Sequence, residues 1–113
     1  MKLELRRVIL FTPDLEMMTQ FYCDVIGLSL VNSEDGWRDF DAGACNIALH
    51  SGVSSIGSRP PKLVFYASDV AAARAILVKR GAKSMGKVLS TGNFDMCNGK
   101  DPDGNPFQIS SRK

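Results

Sequence analysis

The chain has 113 residues, of which 44% are hydrophobic and 23% are charged, and its formal net charge at pH 7 is +2. These proportions predict a globular protein; the charge pattern offers no basic stripe for nucleic acid, and no apolar run approaches the ~20 residues of a membrane span. The first residues lack the apolar core of a signal peptide, and the three cysteines (Cys23, Cys45 and Cys97) form no CxxC pair, so we expect a cytoplasmic protein with reduced thiols.

The first half of the chain predicts a strand, a helix and three further strands. Thr12 and Pro13 provide a start signal for the helix, whose apolar stripe includes Met18 and Tyr22 and ends at Gly27. The predicted strands are Leu3 to Phe11, Leu28 to Asn32, Trp37 to Asp41 and Cys45 to His50.

Residues 51–61, SGVSSIGSRPP, are rich in serine, glycine and proline and predict a linker. After it the pattern repeats, with a helix from Asp69 to Arg80 that Gly81 ends. The predicted strands of this half are Leu63 to Ala67, Lys83 to Met85, Asn93 to Asn98 and Pro106 to Ser110. The loop Asp101 to Asn105 has the composition of a hairpin turn, and it is not an EF-hand because no glutamate stands at the twelfth position.

The two halves are copies of one unit. Aligning Asp14 with Asp69 places Phe21 on Ile76 and preserves the apolar spacing of the helix. The sequence therefore predicts an α+β fold of tandem β-α-β-β-β units, about 1–50 and 62–113, in a single domain that spans 1–113.

This order of elements resembles the vicinal oxygen chelate superfamily, which includes glyoxalase I, bleomycin-resistance proteins and extradiol dioxygenases. The resemblance is carried by FTPDLEMMTQFYCDVIGL (11–28), WRDFDAGACNIALH (37–50), LVFYASDVAAARAILVKRGA (63–82) and DPDGNPFQIS (101–110). It implies that the two units form an open, barrel-like mixed sheet around a cleft, and that the protein is a homodimer.

The resemblance also implies four positions for metal ligands, which in this chain are Arg7, Ala48, Leu63 and Gln108. Only Gln108 has a side-chain atom able to bind a metal, and a neutral amide is a weak ligand for a divalent ion. We therefore expect no metal cofactor. The alternative is a shifted divalent-metal site that contains His50 and Gln108, with oxygens from residues such as Asp39 or Asp95.

A cleft of this kind would be mainly apolar, with a few polar groups that orient a small ligand. Arg7 either forms an ion pair with Asp39, Asp41 or Asp95 or binds an anionic group of the ligand. The candidate ligand-binding residues are Arg7, Ile9, Phe11, Trp37, Asn46, Ala48, His50, Leu63, Phe65, Phe94 and Gln108. No catalytic residue is assigned.

Three functions are compatible with these residues. The first is a metal-free protein of the glyoxalase and bleomycin-resistance type that binds a small aromatic or anionic molecule. The second is a metal-dependent lyase, isomerase or dioxygenase with the shifted site. The third is an interaction protein whose cleft is vestigial. Whether the chain is an enzyme is left open, and its expected partner is a small molecule rather than nucleic acid or a membrane.

Overall fold

The computed structural model describes residues 1–113 and contains two helices and eight strands. Helix α1 spans Leu15–Gln20 and continues as a π-helical segment over Phe21–Ile26, and helix α2 spans Val70–Lys79. The strands are β1 (Arg7–Thr12), β2 (Ser29–Glu34), β3 (Trp37–Asp41), β4 (Asn46–Ser51), β5 (Leu63–Tyr66), β6 (Leu89–Ser90), β7 (Asp95–Lys100) and β8 (Pro106–Ser110).

The chain divides into two compact units, Met1–Ser55 and Ile56–Lys113, and the boundary falls inside the predicted linker. Each unit has one four-stranded mixed sheet, with the strand order β1-β4-β3-β2 in the first and β5-β8-β7-β6 in the second. In both sheets the first strand of the unit runs parallel to the last, and all other pairs are antiparallel. The predicted α+β fold of tandem β-α-β-β-β units is confirmed.

Helix α1 begins at an aspartate. Asp14 is the N-cap, and its carboxylate accepts a hydrogen bond from the backbone N–H of Met17 at 3.0 Å. Thr12, which we expected to cap the helix, instead accepts from the N–H of Asp14. Gly27 ends the π-helical segment with a φ of 92°, a left-handed conformation that glycine adopts without a steric penalty.

Helix α1 and its π-helical extension cover one face of the first sheet. Met18 and Tyr22 are fully buried, as are Phe40 and Leu49 on the sheet, and the rings of Tyr22 and Phe40 lie 6.1 Å apart. Since successive strand residues point to opposite faces, residues 7, 9 and 11 of β1 lie on the face away from the helix. We call this the open face of the first unit.

The second unit repeats the arrangement. Asp69 caps α2 by accepting from the N–H of Ala72, and Val70 and Leu77 are the buried residues of the helix. Phe107 and Ile109 of β8 and Cys97 of β7 are buried on one face of the second sheet. The opposite side of this sheet is the open face of the second unit.

Three differences from the predictions are larger than a shift of one or two residues at the end of an element. Strand β1 begins at Arg7 rather than Leu3, because the first six residues are exposed and make no strand pairing. The predicted strand from Lys83 to Met85 is reduced to a single bridge between Met85 and Gly99, and the short strand β6 was not predicted. Neither helix has the length and apolar character needed to cross a membrane.

Candidate functional site

The open face of the first unit collects most of the residues that the sequence predicts as ligand-binding. In the sheet register, β1 residues pair with β4 as Arg7 with Asn46, Ile9 with Ala48, and Phe11 with His50. The third strand, β3, pairs Asp39 with Ala48 and Trp37 with His50. Paired residues share a face, so the set on this face includes Arg7, Ile9, Phe11, Trp37, Asp39, Asp41, Asn46, Ala48 and His50.

Arg7 is paired with an acid. Its Nε and Nη2 atoms donate to the two carboxylate oxygens of Asp39 at 3.2 and 2.7 Å. The Asp39 side chain is 7% exposed and that of Arg7 is 32% exposed. The hydrogen bonds from Arg7 to Asp39 raise the pKa of the guanidinium, which opposes the effect of its partial burial. The ion pair within the protein, one of the two roles predicted for Arg7, is therefore present.

Aromatic rings line the same face beside this ion pair. The His50 ring lies 5.4 Å from Phe11 and 5.9 Å from Trp37, measured between ring centroids. The Arg7 guanidinium carbon lies 5.8 Å from the centroid of Trp37, within range of a cation–π contact. Phe11 is 50% exposed and His50 is also exposed, so the row Phe11, His50, Trp37 presents ring surface to solvent.

Two predicted site residues of the second unit lie on the wrong face. Val64 pairs with Gln108, whereas Leu63 pairs with Phe107 and Phe65 with Ile109. Leu63 and Phe65 therefore share the buried face of the sheet, and the rings of Phe65 and Phe107 are 6.2 Å apart. The prediction that Leu63 and Phe65 lie beside Gln108 was wrong, because the strand is phased one residue differently.

The open face of the second unit instead carries a lysine and two amides. Lys62 directly precedes β5, and its Nζ donates to Oδ1 of Asn98 at 3.1 Å. Gln108 donates from Nε2 to the same oxygen at 3.1 Å. Val64 and Tyr66, two and four residues after Lys62, are 58% and 55% exposed on this face.

The two open faces are built on equivalent positions. With Asp14 aligned on Asp69, Arg7 corresponds to Lys62 and Ile9 to Val64. Ile9 pairs with Ala48 of β4, which pairs with Asp39. Val64 pairs with Gln108 of β8, which pairs with Asn98, so Asp39 and Asn98 occupy equivalent positions. Sequence reasoning missed Lys62, although the alignment of the two copies contains this signal. The cation is present in both units, but its partner is a carboxylate in the first and a neutral amide in the second.

The last predicted residue, Phe94, is not part of either group of contacts. It precedes β7, its carbonyl accepts from Thr91, and the guanidinium carbon of Arg112 lies 5.2 Å from its ring centroid. A separate surface groove of about 620 Å³ lies beside α1 and is lined by Asp14, Glu16, Met17, Thr19, Gln20, Cys23, Asp24 and Arg38. None of the predicted ligand-binding residues lines it.

The residues at the positions that the resemblance assigns to metal ligands do not fit a metal ion. In the first unit they are a guanidinium already bonded to Asp39 and the methyl group of Ala48. In the second unit Leu63 lies on the buried face, its neighbour Lys62 is an ammonium, and the Gln108 amide nitrogen is bonded to Asn98. No three His, Cys, Asp or Glu side chains are grouped closely enough to hold an ion.

A family model matches most of the chain. The model for the glyoxalase/bleomycin resistance protein/dioxygenase superfamily aligns with residues 4–109. No curated protein sequence matches the chain.

Solved structures share the fold at low identity. An integron cassette protein from the mobile metagenome of a Halifax Harbour sewage outfall is 16% identical, with a TM-score of 0.78 over 96% of this chain and 97% of that one. A glyoxalase/bleomycin resistance protein/dioxygenase from Nocardioides is 20% identical, with a TM-score of 0.76 over 97% and 83%. A lactoylglutathione lyase from Agrobacterium tumefaciens is 20% identical, with a TM-score of 0.73 over 94% and 91%. At these identities the likeness establishes the fold alone.

Proposed function

Because the chain belongs to the glyoxalase/bleomycin resistance protein/dioxygenase superfamily, we propose that it binds a small molecule without a metal ion, and that a flat aromatic group of this ligand lies on the open face of the first unit. Binding of a small molecule agrees with membership of this superfamily, whereas binding without a metal ion differs from its metal-dependent enzymes. The departure rests on the donor atoms, since a paired guanidinium, a methyl group and an amide cannot replace imidazole or carboxylate ligands.

The row of rings formed by Phe11, His50 and Trp37 is the observation that carries this proposal. Three adjacent rings, inclined to their neighbours by 46° and 69°, offer exposed faces and edges to an aromatic ligand, and aromatic groups pack favourably at centroid distances of about 4.5–7 Å. Hydrogen-bonding groups stand at the edge of the row, as is usual where a small ligand must be oriented. These groups are Arg7 and Asn46, which pair with each other in the register.

The ion pair with Asp39 determines what Arg7 contributes to such a site. Its charge is largely compensated, so it selects a ligand weakly by charge. Its position is fixed by two hydrogen bonds and by Trp37, and the Nη1 nitrogen has no hydrogen bond within the protein. Arg7 would therefore donate to a carbonyl or hydroxyl oxygen of the ligand while Asp39 holds the guanidinium in place.

A titration of the isotope-labelled protein with indole, followed by NMR, tests the proposal. Indole is neutral and aromatic, and we expect its largest shifts at Phe11, Trp37 and His50. Trp37→Leu should weaken indole binding about two- to tenfold, the range expected for loss of one aromatic contact. Tyr66→Leu is the matched control, because it removes an exposed ring from the second unit.

Three results would contradict the proposal. Indole-induced shifts located away from Phe11, His50 and Trp37 would contradict the aromatic site. Equal weakening of indole binding by Trp37→Leu and Tyr66→Leu would contradict it as well. Loss of indole binding after treatment with a chelator, restored by zinc or manganese, would contradict the metal-free part.

A further inference from the structure

Lys62 is a cation without a carboxylate partner. Its ammonium group bonds to the side-chain oxygen of Asn98, and no acid of the chain forms an ion pair with it. Its counterpart Arg7 is neutralised by Asp39 at the equivalent place. The positive charge of Lys62 is therefore uncompensated on the open face of the second unit.

The hydrogen bonds around Asn98 determine how the two amides are oriented. A lysine ammonium only donates, so the atom of Asn98 that faces Lys62 must be the oxygen. The same oxygen accepts from Nε2 of Gln108, which turns the Oε1 atom of Gln108 away from it. Neither Nδ2 of Asn98 nor Oε1 of Gln108 makes a hydrogen bond within the protein. The patch thus offers one ammonium, one free amide donor and one free amide acceptor.

Apolar surface lies next to this polar group. Val64 and Tyr66 follow Lys62 at alternate positions of the chain, and both are more than half exposed. Alternate residues of a strand are about 6.5–7 Å apart, so an anionic group at Lys62 would place an attached ring or short apolar chain over Val64. Tyr66 would extend this contact.

We propose that Lys62, Asn98 and Gln108 form an anion-binding patch that takes a monocarboxylate attached to an apolar or aromatic group. A monoanion matches the single free charge, and its two oxygens match the ammonium and the Nδ2 donor of Asn98. A phosphate dianion fits less well, because the patch offers a single positive charge and because Oε1 of Gln108, an acceptor, cannot donate a hydrogen bond to a further phosphate oxygen. This patch is formed by residues of the second unit and the aromatic site by residues of the first, and neither proposal depends on the other.

Benzoate and benzamide are the matched probes, since they have similar shape and differ in charge. In an NMR titration we expect benzoate to shift the resonances of Lys62, Val64, Tyr66, Asn98 and Gln108. At these five residues benzamide should bind about tenfold or more weakly, because a charge-assisted hydrogen bond contributes more than a neutral one. Lys62→Met should weaken benzoate binding by a similar factor, and Lys62→Arg should retain most of it.

Lys87→Met is the control for net charge, because Lys87 is also exposed but lies outside the patch; it should bind benzoate like the wild-type protein. The proposal is contradicted if benzoate causes no shift at Lys62, Val64, Tyr66, Asn98 and Gln108, if benzamide binds equally tightly at these residues, or if Lys62→Met has no effect. Inorganic phosphate that binds more tightly than benzoate would overturn the choice of a monocarboxylate.

Discussion

Asp39 accepts two hydrogen bonds from Arg7 although the strands that carry these residues are not neighbours: β4 lies between β1 and β3. The pair therefore crosses three strands of the first sheet. In the second unit Lys62 reaches across β8 to Asn98 in the same way, with a single bond and no compensating charge. The two copies of the unit thus have a cation at the same place but differ in its partner. Arg7 is neutralised by a carboxylate, whereas Lys62 keeps its charge.

The Arg7–Asp39 pair should be needed for the stability of the first unit. Asp39→Ala leaves a partly buried guanidinium without its acid, so we expect a lower melting temperature. The double variant Arg7→Met with Asp39→Ala should be less destabilised than the sum of the two single variants, because it leaves no unpaired charge. Thermal unfolding followed by circular dichroism measures all three, and strictly additive effects would show that the pair contributes no coupling.

The two aspartate caps should each stabilise their helix. Removal of the capping oxygen in Asp69→Ala should lower the free energy of unfolding by about 1 kcal/mol, and Asp14→Ala should have a similar effect. Asp69→Asn and Asp14→Asn are the matched controls, because asparagine retains an oxygen that can accept the same bond. Urea denaturation gives the comparison, and alanine variants as stable as the asparagine variants would contradict the assigned caps.

Gly99 should not tolerate a side chain. A Cβ atom there would lie 2.6 Å from the sulfur of Met85 and 2.6 Å from Cζ of the Phe107 ring. Gly99→Ala should therefore cost about 1–3 kcal/mol, the usual range for overpacking a core. Gly52→Ala is the control, since its nearest neighbour would be an atom of Phe11 at 3.4 Å. Equal urea midpoints for the two variants would contradict this assignment of the contact.

The buried thiol of Cys97 should make stability depend on pH in the alkaline range. Burial raises the pKa of Cys97, against the opposing effects of Arg74 and of a backbone hydrogen bond at Ile109. The folded state thus holds this proton to higher pH than the unfolded chain, and the free energy of unfolding should fall as pH rises above about 8.5. In urea titrations across this range Cys97→Ala should show a shallower fall than the wild type. Parallel curves would contradict the prediction.

Much of the fold could be predicted from the sequence because its two copies constrain each other. The caps and glycines at equivalent places define the helices, and Pro106 to Ser110 was predicted with its observed bounds. The change from α-helix to π-helix at Phe21 was not predictable from apolar spacing, since the buried Tyr22 and Val25 fit either form.

The sequence predicted correctly which face of the sheet the candidate residues of β1 occupy, and it predicted the face incorrectly for β5. In β1 the charged Arg7 begins the strand and sets its phase. The run Leu63 to Ala67 has no charged residue, so the sequence of this run does not indicate which alternate residues face solvent. The face that each residue of β5 occupies is defined by Lys62, which precedes the strand, and by the pairing of Val64 with Gln108.

One substitution tests whether the two units differ only in the partner of the cation. Asp39→Asn converts the carboxylate opposite Arg7 into the amide that Asn98 provides opposite Lys62. Arg7 would then carry an uncompensated charge beside the ring of Trp37, and we expect a second benzoate site in the first unit, within about tenfold of the affinity at Lys62. An NMR titration should show benzoate binding near Arg7 with an affinity in this range, whereas Asp41→Asn, which changes net charge equally on the same strand, should leave the tight binding at Lys62 alone. If NMR shows folded Asp39→Asn protein with shifts only around Lys62, the charge of the partner is not what distinguishes the two faces.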